Sequence, residues 1–547
     1  MTPAKRAWLL FALIACAAYF YGLGNFPFVG PDEPRYAEVA RSMYMRGDMV
    51  TPMLGGHTWF EKPVLPYWIM IAGYKLFGAS EWSARAGFAL CGLLTVLVLC
   101  WMGRRAQTEC AEKEGARWLA LMTGLAAASS AGLLLFSHGV NFDIPLTLAT
   151  TLGLACFFVY ELGEGKQRGA RRLLLAGFYT GTGVALLAKG LIGFIITFGV
   201  VALYYALRRA WPGREVALSL LWGLPLAILV VALWYAPVIS RHGWAFIDEF
   251  FIQHHFARYT SNKYRHPQPF YFYIPIILMM ALPWTPHLVE AVWSARRWQW
   301  RSDDALSKWR VFAFCWLLVP VLFFSASGSK LPGYILPALP GALMLIGERL
   351  SRMMSVGRAG VLATRVAGAL LVLLALGCVI YIWREGYAVI ACAITVAAFL
   401  IAGGLLALLL AGRGQLAPIA LACAMLMMVA VGLSCGVEAI ARRISMAHAL
   451  ERAGALGYGQ SPVFHLHTIE RTAEYYAAGR LQYGPDGEPL RFEGATQVER
   501  AAREQGGTVL VIVPTEHASQ ITTYAPLESE IIDDKKEVSL IAVRLRK

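Results

Sequence analysis

Residues 64–79 read VLPYWIMIAGYKLFGA, and whether they cross a membrane decides the topology of everything that follows. The run is apolar but short, and it contains Tyr67, Tyr74 and Lys75. A spanning helix needs roughly 20 predominantly apolar residues. The segment therefore reads as a helix lying at the interface. On either side of it, runs long enough to span recur from Trp8 to Val437. They fall near 7–23, 83–103, 118–136, 143–162, 173–188, 190–207, 217–239, 269–289, 311–325, 333–348, 366–383, 387–411 and 416–437, about thirteen in all. The first run follows Lys5 and Arg6, but no small-residue cleavage site comes after it, so it is expected to be a retained span.

The charges test this count. With the amino terminus in the cytoplasm, the inside loops hold Arg104 and Arg105; Lys166, Arg168, Arg171 and Arg172; Arg208, Arg209 and Arg214; Arg296, Arg297, Lys308 and Arg310; Arg349, Arg352, Arg358 and Arg365; and Arg413. Every one of these loops is basic, as the positive-inside rule requires. Counting 64–79 as a span would invert all the later loops and destroy the agreement. Topology does not explain Arg35 and Lys62 in the outside loop 24–82, or Arg258, Lys263 and Arg265 in the outside loop 241–268.

Composition agrees with a polytopic α-helical membrane protein. The 547 residues are 57% hydrophobic and only 15% charged, against roughly 25% charged in a soluble protein. The net charge of +14 sits in short clusters between apolar runs, so it reads as topology and not as a nucleic-acid surface. Of the ten cysteines, nearly all lie in apolar runs and none follows Cys435. With no CxxC or zinc spacing, they read as small buried hydrophobes. The expected domains are 1–437, the membrane part with its outer loops, and 438–547, a small soluble α/β domain placed outside by the odd span count. In the latter, Pro462–His467, Thr508–Val513 and Val538–Leu545 are expected strands, and Thr468–Ala478 and Thr496–Gln505 expected helices. It carries no catalytic constellation and reads as a cap or lid.

The polar residues that invite a chemical reading gather on the outer side. Pro31-Asp32-Glu33-Pro34-Arg35 opens a short amphipathic helix whose N-terminus suits acids. Trp59-Phe60-Glu61-Lys62-Pro63 sets an acid and a base among headgroup-level aromatics, where a lysine can hold a lipid phosphate. Asp143 begins the fourth span, and an unpaired carboxylate in hydrocarbon costs at least roughly 2.5–3.5 kcal/mol. Lys189 falls between two closely spaced spans, and Lys330 lies in the small-residue stretch 325–332, which lets backbone amides approach a phosphate. Arg258 and Arg265 are candidate phosphate forks. His254, His255 and His266 with Glu61 are the residues from which a metal site is conceivable, though no spacing demands one. Carboxylates and phosphate-binding cations at headgroup depth suit a reaction on a phospholipid-type substrate. No P-loop or dinucleotide fingerprint appears, so the donor is expected to be lipid-borne.

Taken in order, Asp32-Glu33-Pro34-Arg35-Tyr36-Ala37-Glu38, Phe60-Glu61-Lys62-Pro63, the Asp143 element, Ala188-Lys189-Gly190, the loop 253–267 and Ser329-Lys330-Leu331-Pro332-Gly333-Tyr334 resemble bacterial GT-C glycosyltransferases of the protein O-mannosyltransferase-like superfamily. The closest likeness is to the undecaprenyl-phosphate aminoarabinose transferases that modify lipid A. The resemblance implies about thirteen transmembrane helices and a small periplasmic α/β domain. It implies a sugar carried on undecaprenyl phosphate and a lipid A phosphate acceptor at the periplasmic face of the inner membrane. It puts Asp32 and Asp143 in catalytic roles, with Glu33 a further candidate. It places Lys62 and Arg258 on the carrier phosphate, with Arg35, Lys189, Lys330, Arg265 and Tyr334 as further contacts. No cofactor is required; were a divalent metal present, Glu61 and His266 would be the residues to hold it. A competing reading keeps the chemistry and changes the sugar, or changes the acceptor to a protein or glycan hydroxyl. A transporter is disfavoured because no repeat is seen and the charges lie at one face, not at mid-membrane.

Overall fold

The computed structural model describes residues 3–110, 116–163, 168–256, 268–356, 360–384, 389–413, 416–534 and 537–546. They fold into two compact units. The first comprises Met1–Tyr21, Phe60–Pro66 and Arg85–Gly432; the second comprises Gly22–Trp59, Tyr67–Ala84 and Leu433–Lys547. The first outer loop, expected within the 1–437 domain, is therefore divided: its larger part folds with the carboxy-terminal residues, and Phe60–Pro66 folds with the helices.

The first unit is helical. Every one of the thirteen expected spans coincides with a helical element. Seven described helices are long and apolar enough to cross a membrane, and an eighth crossing is made if the bent pair Leu119–Ala128 and Ala131–Ser137 is one span. The rest are shorter or broken, as in Tyr273–Met280 followed by Thr285–Trp293. Small residues set the closest helix approaches, as is common where no aqueous driving force holds helices together. A Cβ on Gly181 would collide with Gly153, joining Arg168–Lys189 to Asp143–Leu162; Gly368 and Gly404 do the same for Val361–Arg384 and Ile390–Leu410. Buried indoles find acceptors in backbone carbonyls: Trp309 Nε1 donates to Met344 O and Trp316 Nε1 to Pro337 O, both at 2.9 Å. The helix Arg214–Ile247 leaves Leu221, Ile228, Leu229 and Leu233 exposed, an apolar face suited to lipid.

Residues 64–79 form the helix Leu65–Phe77, about 20 Å long and short of the roughly 30 Å hydrocarbon core. Eight of the ten cysteines are free thiols, but Cys392 and Cys435 are disulfide-bonded, which corrects the reading of all ten as simple buried hydrophobes.

The second unit holds a hairpin, β1 (Met53–Leu54) and β2 (His57–Thr58), and a five-stranded sheet. The sheet is built from β3 (Val463–Leu466), β4 (Arg491–Phe492), β5 (Val509–Pro514), β6 (Leu527–Asp534) and β7 (Val538–Leu545) in the order β4-β3-β5-β7-β6. β3 pairs parallel with β4 and β5, while β7 pairs antiparallel with β5 and β6. Alternate residues feed opposite faces. Leu510, Ile512, Leu540 and Ala542 pack against Ala449 and Leu450, while Val509, Val511, Ile541 and Val543 pack against Val498 and Ala502 of the helix Ala495–Gln505. Three strands and that helix match the expectation. The expected helix Thr468–Ala478 contracts to Ala473–Tyr476. β6 escaped the sequence reading because LESEIIDD is acidic; it is an edge strand with a register shift between Ile531 and Asp533, so only Leu527 and Ile532 are buried.

Candidate functional site

The candidate residues fall in both units. In the helical unit, Asp143 opens the helix Asp143–Leu162, but it does not cap it. Asn141 does: its Oδ1 accepts from the backbone N–H groups of Asp143 and Ile144 at 3.1 and 2.9 Å. The Asp143 carboxylate is thereby released for another partner, the ammonium of Lys189 at the last residue of Arg168–Lys189. Both residues are buried, at 8% and 9% exposure. The Lys189 Nζ also stands 4.2 Å from the ring centroid of Tyr334, a cation–π contact. Asp143 Oδ2 faces Gly333 so closely that any Cβ there would strike it. The carboxylate that the sequence left unpaired in the membrane is thus an ion-paired group walled by a glycine and an aromatic ring.

Glu61 and Lys62 share this unit. Lys62 Nζ donates to Glu61 Oε1 at 2.8 Å, and both side chains are mostly buried. Their backbone is anchored next door: the Phe60 N–H donates to Glu249 Oε1 at 3.2 Å, and the Phe60 ring packs edge-on against Phe246. Glu249 carried no signal in sequence beyond being an acid ahead of the 253–267 cluster. The Lys330 ammonium donates to Ser327 O at 2.6 Å and Gln268 O at 3.0 Å, which ties its own loop together. Arg258, Arg265 and His266 lie outside the described residues, as do the side chains of His254 and His255. Among the described residues no group of three or more His, Cys, Asp or Glu converges as a metal site.

In the second unit, Asp32 precedes the helix Glu33–Arg46 without bonding its amides. Instead it pairs with Arg35 at 2.8 Å and keeps its carboxylate about half exposed. Arg35 is fixed by a second bond from Nε to Pro31 O at 2.8 Å and lies 5.4 Å from the Trp59 ring centroid. Glu33 is buried and accepts from the Val29 N–H at 3.3 Å, closing the loop that carries Asp32.

That loop and helix are held by carboxy-terminal residues of the same unit. Arg41 donates to Tyr475 O at 2.8 Å and stacks 4.1 Å from the Tyr475 ring centroid. The Phe28 N–H donates to Tyr476 Oη at 2.6 Å, and Tyr476 Oη donates to Glu81 at 2.9 Å. Glu38 pairs with Arg41. Burial nevertheless pushes the Glu38 carboxyl up to about 7, the Arg41 guanidinium opposing and the Glu474 carboxylate assisting.

The comparisons agree with this architecture. Residues 4–254 match the family described as dolichyl-phosphate-mannose-protein mannosyltransferase. The chain is 32% identical over 393 residues to the undecaprenyl phosphate-alpha-4-amino-4-deoxy-L-arabinose arabinosyl transferase of Pseudomonas aeruginosa strain UCBPP-PA14, covering 69% of this chain and 66% of that protein. It is 31% identical over 348 residues to the protein of that name in Erwinia tasmaniensis, covering 62% of this chain and 59% of the other. The matched region thus spans just under two thirds of these relatives' length. Two crystal structures of ArnT from Cupriavidus metallidurans are similar along nearly the whole chain. The one bound to undecaprenyl phosphate has a TM-score of 0.80 and 25% identity, covering 98% of both chains. The apo structure has a TM-score of 0.79 and 26% identity.

A polytopic helical membrane fold with paired carboxylates and lysines at its helix ends, matched by these families, is that of a GT-C glycosyltransferase. The resemblance read from the motifs holds at finer grain too. Over the matched region the chain is similar to the undecaprenyl phosphate aminoarabinose transferases.

Proposed function

We propose that this chain transfers 4-amino-4-deoxy-L-arabinose from undecaprenyl phosphate to a phosphate of lipid A at the periplasmic face of the bacterial inner membrane. The observation that carries the reading is the end-to-end likeness to a structure that holds undecaprenyl phosphate. The amino terminus is cytoplasmic and the domain 438–547 periplasmic. The disulfide-bonded state of Cys392 and Cys435 supports this orientation: disulfides persist in oxidising compartments, and both cysteines stand at ends that the basic loops leave outside.

In the reaction the bond between the sugar's anomeric carbon and the carrier phosphate breaks. The phosphate leaves with the electron pair, and an acceptor oxygen bonds to that carbon through an oxocarbenium-like state. Lys62 and Arg258 stabilise the charge developing on the leaving phosphate, and Arg35, Arg265 and Tyr334 are further candidates for the same role. A phosphate acceptor is already anionic and needs little general base. Asp32, about half exposed beside Arg35, and Asp143, held by Lys189, then orient the sugar and pair with its ammonium. Glu33 supports the Asp32 loop. No cofactor enters this scheme.

The test is mass spectrometry of lipid A from a transferase-deficient Gram-negative host that makes the aminoarabinose carrier. The wild type is expected to add a pentosamine-sized mass, and Asp32→Ala and Lys62→Ala to abolish it at unchanged expression. A well-inserted wild type that adds nothing overturns the reading. A gain that survives both substitutions overturns the site.

A further inference from the structure

A second site is built at the opposite ends of the helices that carry Asp143 and Lys189. A cavity of about 600 Å³ runs among Asp143–Leu162, Arg168–Lys189, Ile192–Arg208 and Arg214–Ile247, walled by Phe157, Phe178, Tyr179, Phe198, Tyr205 and Leu220. Beside it lies a more polar cavity of about 700 Å³ bordered by Gln299, Trp300, Arg301 and Ser302. Ala206 and Arg209 line both. Along their shared stretch of chain, Arg209 and Phe198 are about 16 Å apart, roughly half of a 30 Å hydrocarbon core. The apolar cavity thus has the depth of one leaflet, with a cation at its mouth.

The charges around that mouth are unevenly spent. Glu215 is paired with Arg171 at 2.9 Å, Asp303 with Arg208 at 2.5 Å, and Glu161 accepts from Tyr205 Oη at 2.7 Å. Arg209 and Arg301 are exposed and have no ion pair among the described residues. Arg209 also has a left-handed backbone, φ 51°, at the C-cap of Ile192–Arg208. Glycine or asparagine ordinarily fills such a position, so an arginine kept there against its backbone preference points to use of the side chain. Trp211, 93% exposed two residues on, suits the headgroup layer.

We propose that this double cavity binds an anionic diacyl phospholipid of the surrounding bilayer, with an acyl chain in the aromatic groove and the phosphate between Arg209 and Arg301. Basic pockets between transmembrane helices recognise anionic headgroups in this way. The site is independent of the transferase assignment.

The full-length protein, purified in mild detergent with equimolar phosphatidylglycerol and phosphatidylcholine, is examined by native mass spectrometry. Each headgroup-level arginine favours an anionic lipid by about fivefold, so retention of phosphatidylglycerol over phosphatidylcholine by about twenty-five-fold is expected. Arg209→Gly with Arg301→Gln should bring the ratio near one without loss of fold, because glycine relieves the left-handed position. Ala217→Phe fills the groove and leaves both arginines, so it should also lose the lipid. Equal retention of the two lipids by the wild type overturns the proposal. So does a full response to the arginine variant with none to Ala217→Phe, which marks diffuse attraction, and so does complete displacement by equimolar undecaprenyl phosphate.

Discussion

Lys189 and Asp143, forty-six residues apart in sequence, form a buried ion pair that joins the end of one helix to the start of another. Removing one partner of such a pair leaves an uncompensated charge and costs about 3–5 kcal/mol, whereas replacing both with apolar groups is often neutral. Lys189→Met is therefore expected to lower the unfolding midpoint in detergent, and Asp143→Leu with Lys189→Met to recover most of it. Lipid A modification should be lost in both. A double variant that regains activity along with stability would show that the pair serves folding alone.

Gly333 is the neighbour that lets this carboxylate stand where it does. Its φ is ordinary, so Gly333→Ala strains no backbone; the new methyl simply meets Asp143 Oδ2 and the Phe136 ring. Displacing a positioned catalytic group by a fraction of an ångström to an ångström is enough to cost up to about a hundredfold in rate. Lipid A modification per folded molecule should fall at least tenfold. Unchanged transfer would remove Asp143 from the reacting centre.

Much of this was legible in sequence because hydropathy and charge report directly on the membrane. The run 64–79 is too short to span, and Leu65–Phe77 is a thirteen-residue helix. The pairing of Asp143 with Lys189 was not legible, since both signalled only that a charge sat at a helix end, and nothing in their spacing ties two helix termini together. The bonds of Lys330 were not legible either. Small residues around it resemble a phosphate cradle, yet the same openness exposes the carbonyls of Ser327 and Gln268, which the ammonium binds. β6 was hidden because an edge strand buries too few residues to alternate. The division of the first loop between two units depends on contacts several hundred residues away in sequence, such as Arg41 with Tyr475.

Glu38 makes the second unit sensitive to pH. Its carboxyl is raised by burial to about 7 from the ordinary 4.5, and Glu474 is shifted the same way, also by burial. A raised carboxyl favours the protonated folded state. Its stabilisation is complete below pH 4.5 and is lost as pH climbs to about 7. The unfolding midpoint of this unit, followed by hydrogen exchange in the full chain, should decline over that window. Glu38→Gln should flatten the decline by close to one proton's worth of slope. An identical slope in the variant would mean that Glu38 is ionised throughout.

Lys62 and Lys330 are both buried lysines near proline, but their partners differ, and so should their substitutions. Lys62 is paired with the adjacent Glu61 at 2.8 Å, an arrangement that can reopen toward a phosphate. Lys330 is held by two backbone carbonyls, each bond of this charged kind contributing about 1.5–3 kcal/mol. Lys62→Ala should lower transfer per folded molecule by about a hundredfold or more, the magnitude seen when a group stabilising transition-state charge is removed. Lys330→Ala should instead lower the midpoint and leave transfer per folded molecule within about threefold of wild type. The reverse pattern would move the carrier phosphate from Lys62 to Lys330.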